Sequence, residues 1–221
     1  MNYFTWLAIA LLAACSSVEV PVERYYRLQL SAADAPDPMR AGTLRVHDLQ
    51  LGTALDSDRL LFQSGVTLEP RPLARWVAPL DRLVTDAMVL GLSRAKVCEL
   101  VKGSADSGPE TWSLHGRIVD FVQAQVADSV AGQVDGEKIH AVSEARVTLE
   151  LWLMRDRELV FHDEFSRTEA VSESDPEAAV VALSRGLDHV VAGVVQKMRS
   201  LDLFAAAHAE QQVQLLARPP R

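Results

Sequence analysis

The chain has 221 residues, of which 48% are hydrophobic and 24% charged, a composition that suits one folded domain and excludes disorder throughout. Its formal net charge of -8, with a pI near 5.2, argues against binding nucleic acid through phosphates, because no broad positive field surrounds the protein. Its two cysteines cannot build a disulfide scaffold.

The N-terminus has the pattern of an exported lipoprotein. Residues 6–14 are all apolar and are followed directly by Cys15, although no Lys or Arg precedes them. Residues 12–15 (LAAC) resemble a bacterial lipobox, in which the cysteine thiol accepts a diacylglycerol. We therefore predict a signal peptide over 1–14, lipidation at Cys15, and a tether over 15–24 that reaches roughly 30 Å at most. The alternative is a buried N-terminal helix with Cys15 as a small core residue.

The first half of the chain predicts several short strands and one helix. Alternating patterns predict strands over 25–30 and 43–51, and two further strands, 59–62 and 66–68, flank a turn at Ser64 and Gly65. A stripe of apolar residues that starts after Pro79 predicts a helix over 79–95. A strand over 96–101 and a loop over 103–109 follow. Cys98, in an apolar setting, is expected to be buried and inert.

The second half predicts a strand meander and a second helix. The alternation predicts two long strands with one buried face each: residues 112–126, with even positions inward, and residues 139–153, with odd positions inward. Residues 159–166 are predicted to form a third strand. Asp175 and Pro176 are typical of a helix start, and the apolar stripe runs to Met198. Whether residues 201–221 extend this helix or fray is left open.

This order of elements predicts an α+β fold with a mainly antiparallel sheet and two amphipathic helices packed on one face. The domain is predicted over residues 25–203, followed by a C-terminal tail over 204–221. Neither an internal repeat nor a second domain is visible in the sequence.

No motif for chemistry emerges. A phosphate loop, a nucleophile elbow and a zinc-helix pattern are all missing, so we predict no catalytic, cofactor-binding or metal residue. His115, His140 and His162 could neighbour one another across the meander, but the alternation favours a polar strand face over a metal site. The apolar positions fit either a lipid cavity or an ordinary core, and the core is favoured. The turn-rich segment 129–137 is either a contact element or a solvated loop.

Several short motifs follow the lipobox in a characteristic order: Tyr26-Arg27-Leu28, Leu44-Arg45-Val46, Arg59-Leu60-Leu61-Phe62, and Arg75-Trp76 with Pro79-Leu80. In these motifs, and in the late strands and final helix, the chain resembles the ABC-type transport auxiliary lipoprotein family over roughly residues 25–203. One departure lies in residues 66–72, where Leu68, Pro70 and Pro72 stand in place of a Tyr ahead of the Arg-Trp pair.

The resemblance implies a non-catalytic subunit that works with an MCE-domain substrate-binding protein, its ABC permease and its ATPase in the transport of lipids. It also implies a homo-oligomer held by Cys15 at the periplasmic face of the outer membrane, which Ser16 after the cysteine favours. Arg75 and Trp76 are the candidate partner contacts, with stapling of the core as the other role for Trp76. Two competing functions are a lipoprotein chaperone or accessory subunit of an outer-membrane β-barrel, and a periplasmic hydrolase.

Overall fold

A computed structural model of the protein describes residues 22–31, 41–126, 143–171 and 175–216, with side chains of the last segment described up to residue 201. Between residues 126 and 143 it describes only the strand positions 133–134 and 137–138. The predicted signal peptide, Cys15, most of the tether, His140, the side chains of segment 129–137 and those of the C-terminal tail lie outside the described residues.

The described residues form eleven strands, two α-helices and a short 3-10 helix at Thr53–Leu55. The elements are β1 (Arg24–Tyr26), β2 (Thr43–Val46), β3 (Gln50–Leu51), β4 (Arg59–Ser64), β5 (Thr67–Trp76), α1 (Leu80–Arg94), β6 (Leu100–Lys102), β7 (Trp112–Gln125), β8 (Gln133–Val134), β9 (Glu137–Lys138), β10 (Ser143–Arg155), β11 (Glu158–Val171) and α2 (Pro176–Leu216).

Nine of these strands form one mixed sheet, whose main path runs β1-β5-β4-β7-β10-β11. The meander β7-β10-β11 is antiparallel, as predicted, but β2, β3 and β4 all pair with β7 in parallel, and β1 pairs with β5 in parallel. The α+β class is confirmed, whereas the sheet, predicted to be mainly antiparallel, is mixed. Alternation shows which face of a strand is buried and not the direction of its neighbour. Helix α1 forms part of the long connection that lets β2, β3 and β4 pair with β7 in parallel.

Helix α1 and the start of α2 were predicted closely, whereas α2 continues past the predicted stripe to Leu216. The apolar stripes of both helices share one core with the sheet. Along α1, buried Leu80, Val84, Met88 and Leu92 recur every four residues. A carboxylate oxygen of Asp175 accepts a hydrogen bond from the Glu177 amide at 3.2 Å, so Asp175 caps α2 as expected. The apolar positions that fit either a cavity or a core form one contiguous buried cluster.

Helix α2 is long and apolar enough over Pro176–Leu201 to cross a membrane by length and composition. However, 61% of its apolar stretch is buried within the protein, and it packs along β10 and β11. Burial of this extent is what the core helix of a folded domain shows, so the hydropathy of α2 is explained by the sheet beneath it.

A β-bulge corrects the predicted inward face of β7. Thr148 of β10 lies opposite Asp120, whereas the next residue, Leu149, lies opposite Ile118, so that Val119 is an extra residue. Beyond the bulge, odd positions of β7 take over the helix side: Phe121 lies opposite Val147, the residue that α2 contacts through Gly186. The even positions Val122 and Ala124 are buried as predicted, but on the other face of the sheet.

Most other differences between the predicted and the observed elements concern where a strand begins or ends. Residues 25–30 alternate as predicted, with Tyr26, Leu28 and Leu30 packed against the core, but only Arg24–Tyr26 pairs in the sheet. Leu30 instead lies near α1, where a Cβ on Gly91 would be 3.5 Å from Leu30 Cδ1. Helix packing therefore replaces a strand partner, and alternation alone does not distinguish the two.

Three predicted strands in the middle of the chain change length. The strand predicted over 43–51 is interrupted at residues 47–49, and the one predicted over 96–101 begins only at Leu100. Strand β5 is longer than predicted and contains Pro70 and Pro72, beside an irregular register in which Leu73 has φ of 62°. Prolines that lack an amide donor are tolerated at such irregular positions.

Candidate functional site

The N-terminal segment joins the domain through Glu23, which two arginines of the resemblance motifs bind. Arg75 donates from Nε to Glu23 Oε1 at 2.6 Å, and Arg59 Nη2 lies 3.7 Å from the same oxygen. The hydroxyl of Tyr25 donates to Glu23 Oε2 at 3.1 Å. On its other side, Arg75 donates from Nη1 to Asp58 Oδ2 at 2.7 Å. We call these five residues the Glu23 junction.

The register of the sheet brings the junction together. Arg75 of β5 lies opposite Tyr25 of β1 on one side and opposite Arg59 of β4 on the other. Two arginines directly opposite each other repel, and the carboxylates of Glu23 and Asp58 offset that repulsion. The junction therefore joins β1 to the sheet by charge as well as by the backbone ladder.

The pKa of Glu23 lies below its ordinary value. Partial desolvation raises the pKa, but the hydrogen bonds from Arg75 and Tyr25 and the positive charges of Arg75 and Arg59 outweigh that effect. The hydrogen bond that Arg75 donates to Glu23 in turn raises the pKa of Arg75. The ion pair is therefore intact at neutral pH.

The two candidate partner contacts, Arg75 and Trp76, have different environments in the structure. Trp76 is 4% exposed and packs edge to face against Phe121, with ring centroids 6.0 Å apart, so its ring staples the core. The side chain of Arg75 is 32% exposed at the Glu23 junction. A contact with a partner through this pair therefore stays a hypothesis, and the accessible member is Arg75.

Sequence reasoning did not single out Glu23 and Asp58. Glu23 was assigned to the tether, which was predicted to end at Arg24, whereas Arg24 is the first residue of β1. The sequence evidence that could have located the junction is the pair of motif arginines, Arg59 and Arg75, because an arginine in a folded domain is commonly paired with a carboxylate. The partner could not be named, because parallel pairing of β1 with β5 is invisible in the sequence.

Another motif arginine, Arg45, organises the loop predicted over 103–109. The guanidinium of Arg45 pairs with Glu110 and donates to the carbonyl oxygens of Ser104, at 3.3 Å, and Gly108, at 2.7 Å. Buried Lys102 donates from Nζ to Gly108 and Pro109 at 2.7 and 2.9 Å. Two cations thus hold the loop through its backbone carbonyls, which accounts for the Leu44-Arg45-Val46 motif.

The outer face of the sheet carries a row of rings. Trp152 of β10 lies opposite both His115 of β7 and His162 of β11, and its ring centroid is 6.1 and 5.8 Å from theirs. His115 also stacks on His47, with centroids 4.0 Å apart. His115 and His162 therefore flank a tryptophan and do not converge, in keeping with the predicted polar strand face.

Two further predictions concern metals and thiols. Among the residues that the structure describes, three or more His, Cys, Asp or Glu side chains nowhere gather in a way that could hold a metal ion. Cys98 is buried, with 2% exposure, as its apolar surroundings predicted.

Comparison with known proteins agrees with this fold. The crystal structure of protein XCC0632 from Xanthomonas campestris, a DUF330 protein, superposes with a TM-score of 0.68 and 16% sequence identity, over 83% of this chain and 99% of that one. A crystal structure of an uncharacterized protein superposes with a TM-score of 0.63 and 17% identity, over 80% of this chain and 99% of that one. At these identities the likeness shows the fold alone. No curated protein matches the sequence.

A sequence profile for the family described as the ABC-type transport auxiliary lipoprotein component matches residues 26–195. The match begins within β1 and ends in α2, and so spans the sheet and both helices. The chain belongs to the ABC-type transport auxiliary lipoprotein family.

Proposed function

We propose that this protein is a non-catalytic auxiliary subunit of an MCE-type ABC system that transports lipids or organic solutes. It is anchored through Cys15 at the periplasmic face of the outer membrane and docks the transport assembly there as a homo-oligomer. The family match over residues 26–195 carries the proposal, because it describes an auxiliary lipoprotein of ABC-type transport.

The position of the anchor relative to the fold supports this function. Only residues 16–22 separate Cys15 from Glu23, and seven residues span about 25 Å when fully extended. The Glu23 junction determines where this tether meets the sheet. A lipidated Cys15 would therefore hold the β1 edge of the domain close to the bilayer, where a docking subunit must act.

Lipidation is tested by replacing Cys15 with Ala. The expected result is loss of labelled palmitate from the protein and loss of the protein from the outer-membrane fraction, since the thiol that accepts the lipid is gone. Cys98→Ala is the matched control, because the buried Cys98 is expected to have no part in anchoring. If Cys15→Ala retains both the label and the fractionation of the wild type, the proposed anchor is wrong.

The transport partner is tested by crosslinking intact cells that express a C-terminally tagged chain, followed by mass spectrometry of the copurified proteins. We expect an MCE-domain protein together with its permease or ATPase. Recovery of a β-barrel alone would instead indicate a chaperone or accessory subunit of that barrel. If neither is recovered where known lipoprotein complexes are, the family fold is present without the proposed role.

A further inference from the structure

A groove of about 760 Å³ lies between the N-terminal segment and α2, next to the Glu23 junction. Its N-terminal wall is formed by residues 24–31 other than Leu28, and its helical wall by residues of α2 between Glu177 and Asp188. Two hydrogen bonds join the walls: the Gln29 amide donates to Ser184 Oγ at 3.2 Å, and the Ser31 hydroxyl donates to Asp188 Oδ2 at 2.7 Å.

Three arginines that line the groove have no ion pair or side-chain hydrogen bond among the described residues. Among the arginines whose side chains the structure describes, five have neither an ion pair nor a side-chain hydrogen bond within the described part of the chain. Three of these, Arg24, Arg27 and Arg185, are exposed and line this one groove, and the other two are Arg82 and Arg157. Such a concentration is unexpected for a chain with a net charge of -8.

The same groove exposes apolar surface. Tyr25 is 61% exposed on the N-terminal wall, and Val181 is 52% exposed on α2. The groove also holds two carboxylates, of which Asp188 is engaged by Ser31, whereas Glu177 lies near the start of α2. Three cations beside exposed apolar side chains match the two parts of a phospholipid, a phosphate headgroup and an acyl chain.

We propose that this groove binds anionic phospholipid of the bilayer in which the protein is anchored, with Arg24, Arg27 and Arg185 on the phosphate and Tyr25 and Val181 on the glycerol and upper acyl region. The proposal rests on the proposed lipidation of Cys15, because the tether brings the start of the groove within about 25 Å of the headgroups. Bound in this way, the domain lies on the leaflet in one orientation.

The test uses the full lipidated protein reconstituted in phosphatidylethanolamine vesicles. All vesicles contain a trace of phosphatidylglycerol with a photoactivatable acyl chain, and unlabelled phosphatidylglycerol is either added or left out. Crosslinked peptides are expected from residues 24–31 and 177–188, and excess unlabelled phosphatidylglycerol or high salt is expected to reduce them. Each arginine near an anionic surface strengthens binding about fivefold, so removal of each one should lower a subsaturating crosslinked fraction by about that factor.

The decisive variants exchange charge at matched positions. Combined Ala replacement of Arg24, Arg27 and Arg185 should abolish crosslinking at the groove, whereas combined Lys replacement should retain most of it because the charges remain. Arg82→Ala with Arg157→Ala removes two arginines that are also exposed and also lack an ion pair among the described residues, and should leave the crosslinks unchanged. Equal loss in this control, or no loss in the Ala triple variant, overturns the proposal.

Two further measurements distinguish failure of the groove proposal from failure of the proposed anchor, and a lipid from a protein as the occupant. Intact mass reports whether Cys15 is lipidated, so a lipidated protein that crosslinks mainly through another face contradicts the groove while leaving the anchor intact. In cells, a photoreactive residue in place of Val181 should give adducts with the mass of a lipid. If it instead yields a covalent complex with an acidic protein, the groove is a protein interface and the lipid assignment is wrong.

Discussion

Gly116 of β7 lies directly opposite Leu151 of β10, and a Cβ added to Gly116 would lie 2.4 Å from Leu151 Cδ2. The same Cβ would lie 2.6 Å from the Glu150 carbonyl oxygen and 3.0 Å from Leu49 Cδ2. The backbone oxygen cannot move away unless the strand moves, and both leucines are buried, so a methyl group here would force packed atoms to shift. The absence of a side chain at position 116 is therefore what lets these leucines close over the strand.

We predict that Gly116→Ala lowers the free energy of unfolding by about 1–3 kcal/mol, through overpacking of this site. Urea denaturation of the wild type and the variant measures the change. Gly103→Ala is the matched control, because its Cβ would meet nothing closer than 3.9 Å and should change stability by less than about 0.5 kcal/mol. If Gly116→Ala proves as stable as Gly103→Ala, β7 and β10 move apart at little cost to admit the methyl group, and the overpacking explanation is wrong.

The stacked pair His47 and His115 makes the outer face sensitive to pH. Burial lowers the pKa of His115 below its ordinary 6.5, a positive charge on His47 lowers it further, and Glu110 partly opposes both. Since the folded state holds His115 neutral more firmly than the unfolded state does, His115 favours folding above about pH 6.5. That contribution is lost as the pH falls through the folded-state pKa.

We predict that His47→Gln raises the pKa of His115, because the neighbouring charge is removed, and that Glu110→Gln lowers it, because a favourable negative charge is removed. NMR titration of the His115 ring measures both shifts. The two variants change neighbouring groups of opposite charge, so shifts of the same sign would contradict the electrostatic explanation and indicate a general change in packing.

The helices and the buried faces of the long strands could be predicted because they depend on local periodicity. Asp175 and the stripe that ends at Met198 determine α2 whatever it packs against. In the same way, the alternation of Leu149, Leu151 and Leu153 determines the inward face of β10. In such segments the side-chain pattern alone states which face is buried.

Pairing direction and register could not be predicted, because they depend on contacts between distant residues. Val119 looks like an ordinary member of its strand, yet it is the extra residue that turns Phe121 toward the helices. Glu23 likewise looks like part of a solvated tether until β1 is placed beside Arg75. The motif arginines Arg59 and Arg75 are visible in the sequence, whereas the carboxylate that pairs with them is identified only by the fold.

The loop over residues 103–109 is held by hydrogen bonds that the side chain of Arg45 donates to its carbonyl oxygens, and this role can be tested. We predict that Arg45→Met lowers the free energy of unfolding by about 1–3 kcal/mol, because the carbonyl oxygens of Ser104 and Gly108 lose a charged donor whose side chain is 12% exposed. Chemical denaturation measures stability, and hydrogen exchange of residues 103–109 is expected to accelerate. Arg82→Met, at an exposed arginine that lines another cleft, should have little effect on either measurement.

The Glu23 junction predicts a specific loss of stability in acid. The pKa of Glu23 in the folded protein lies below the ordinary value of 4.5, so the unfolded state binds the proton first as the pH falls. The stability that Glu23 contributes is therefore complete above about pH 4.5 and disappears as the pH falls through the folded-state pKa.

Glu23→Gln should accordingly be less stable than the wild type at pH 7, and the difference should shrink toward zero at lower pH, since a protonated Glu23 and a glutamine are both neutral. Urea denaturation at a series of pH values measures the difference. Glu158→Gln, at an exposed glutamate without an ion pair among the described residues, should track the wild type throughout. A difference for Glu23→Gln that is the same at every pH would mean that the carboxylate acts through its shape and hydrogen bonds, and not through its charge on Arg75 and Arg59.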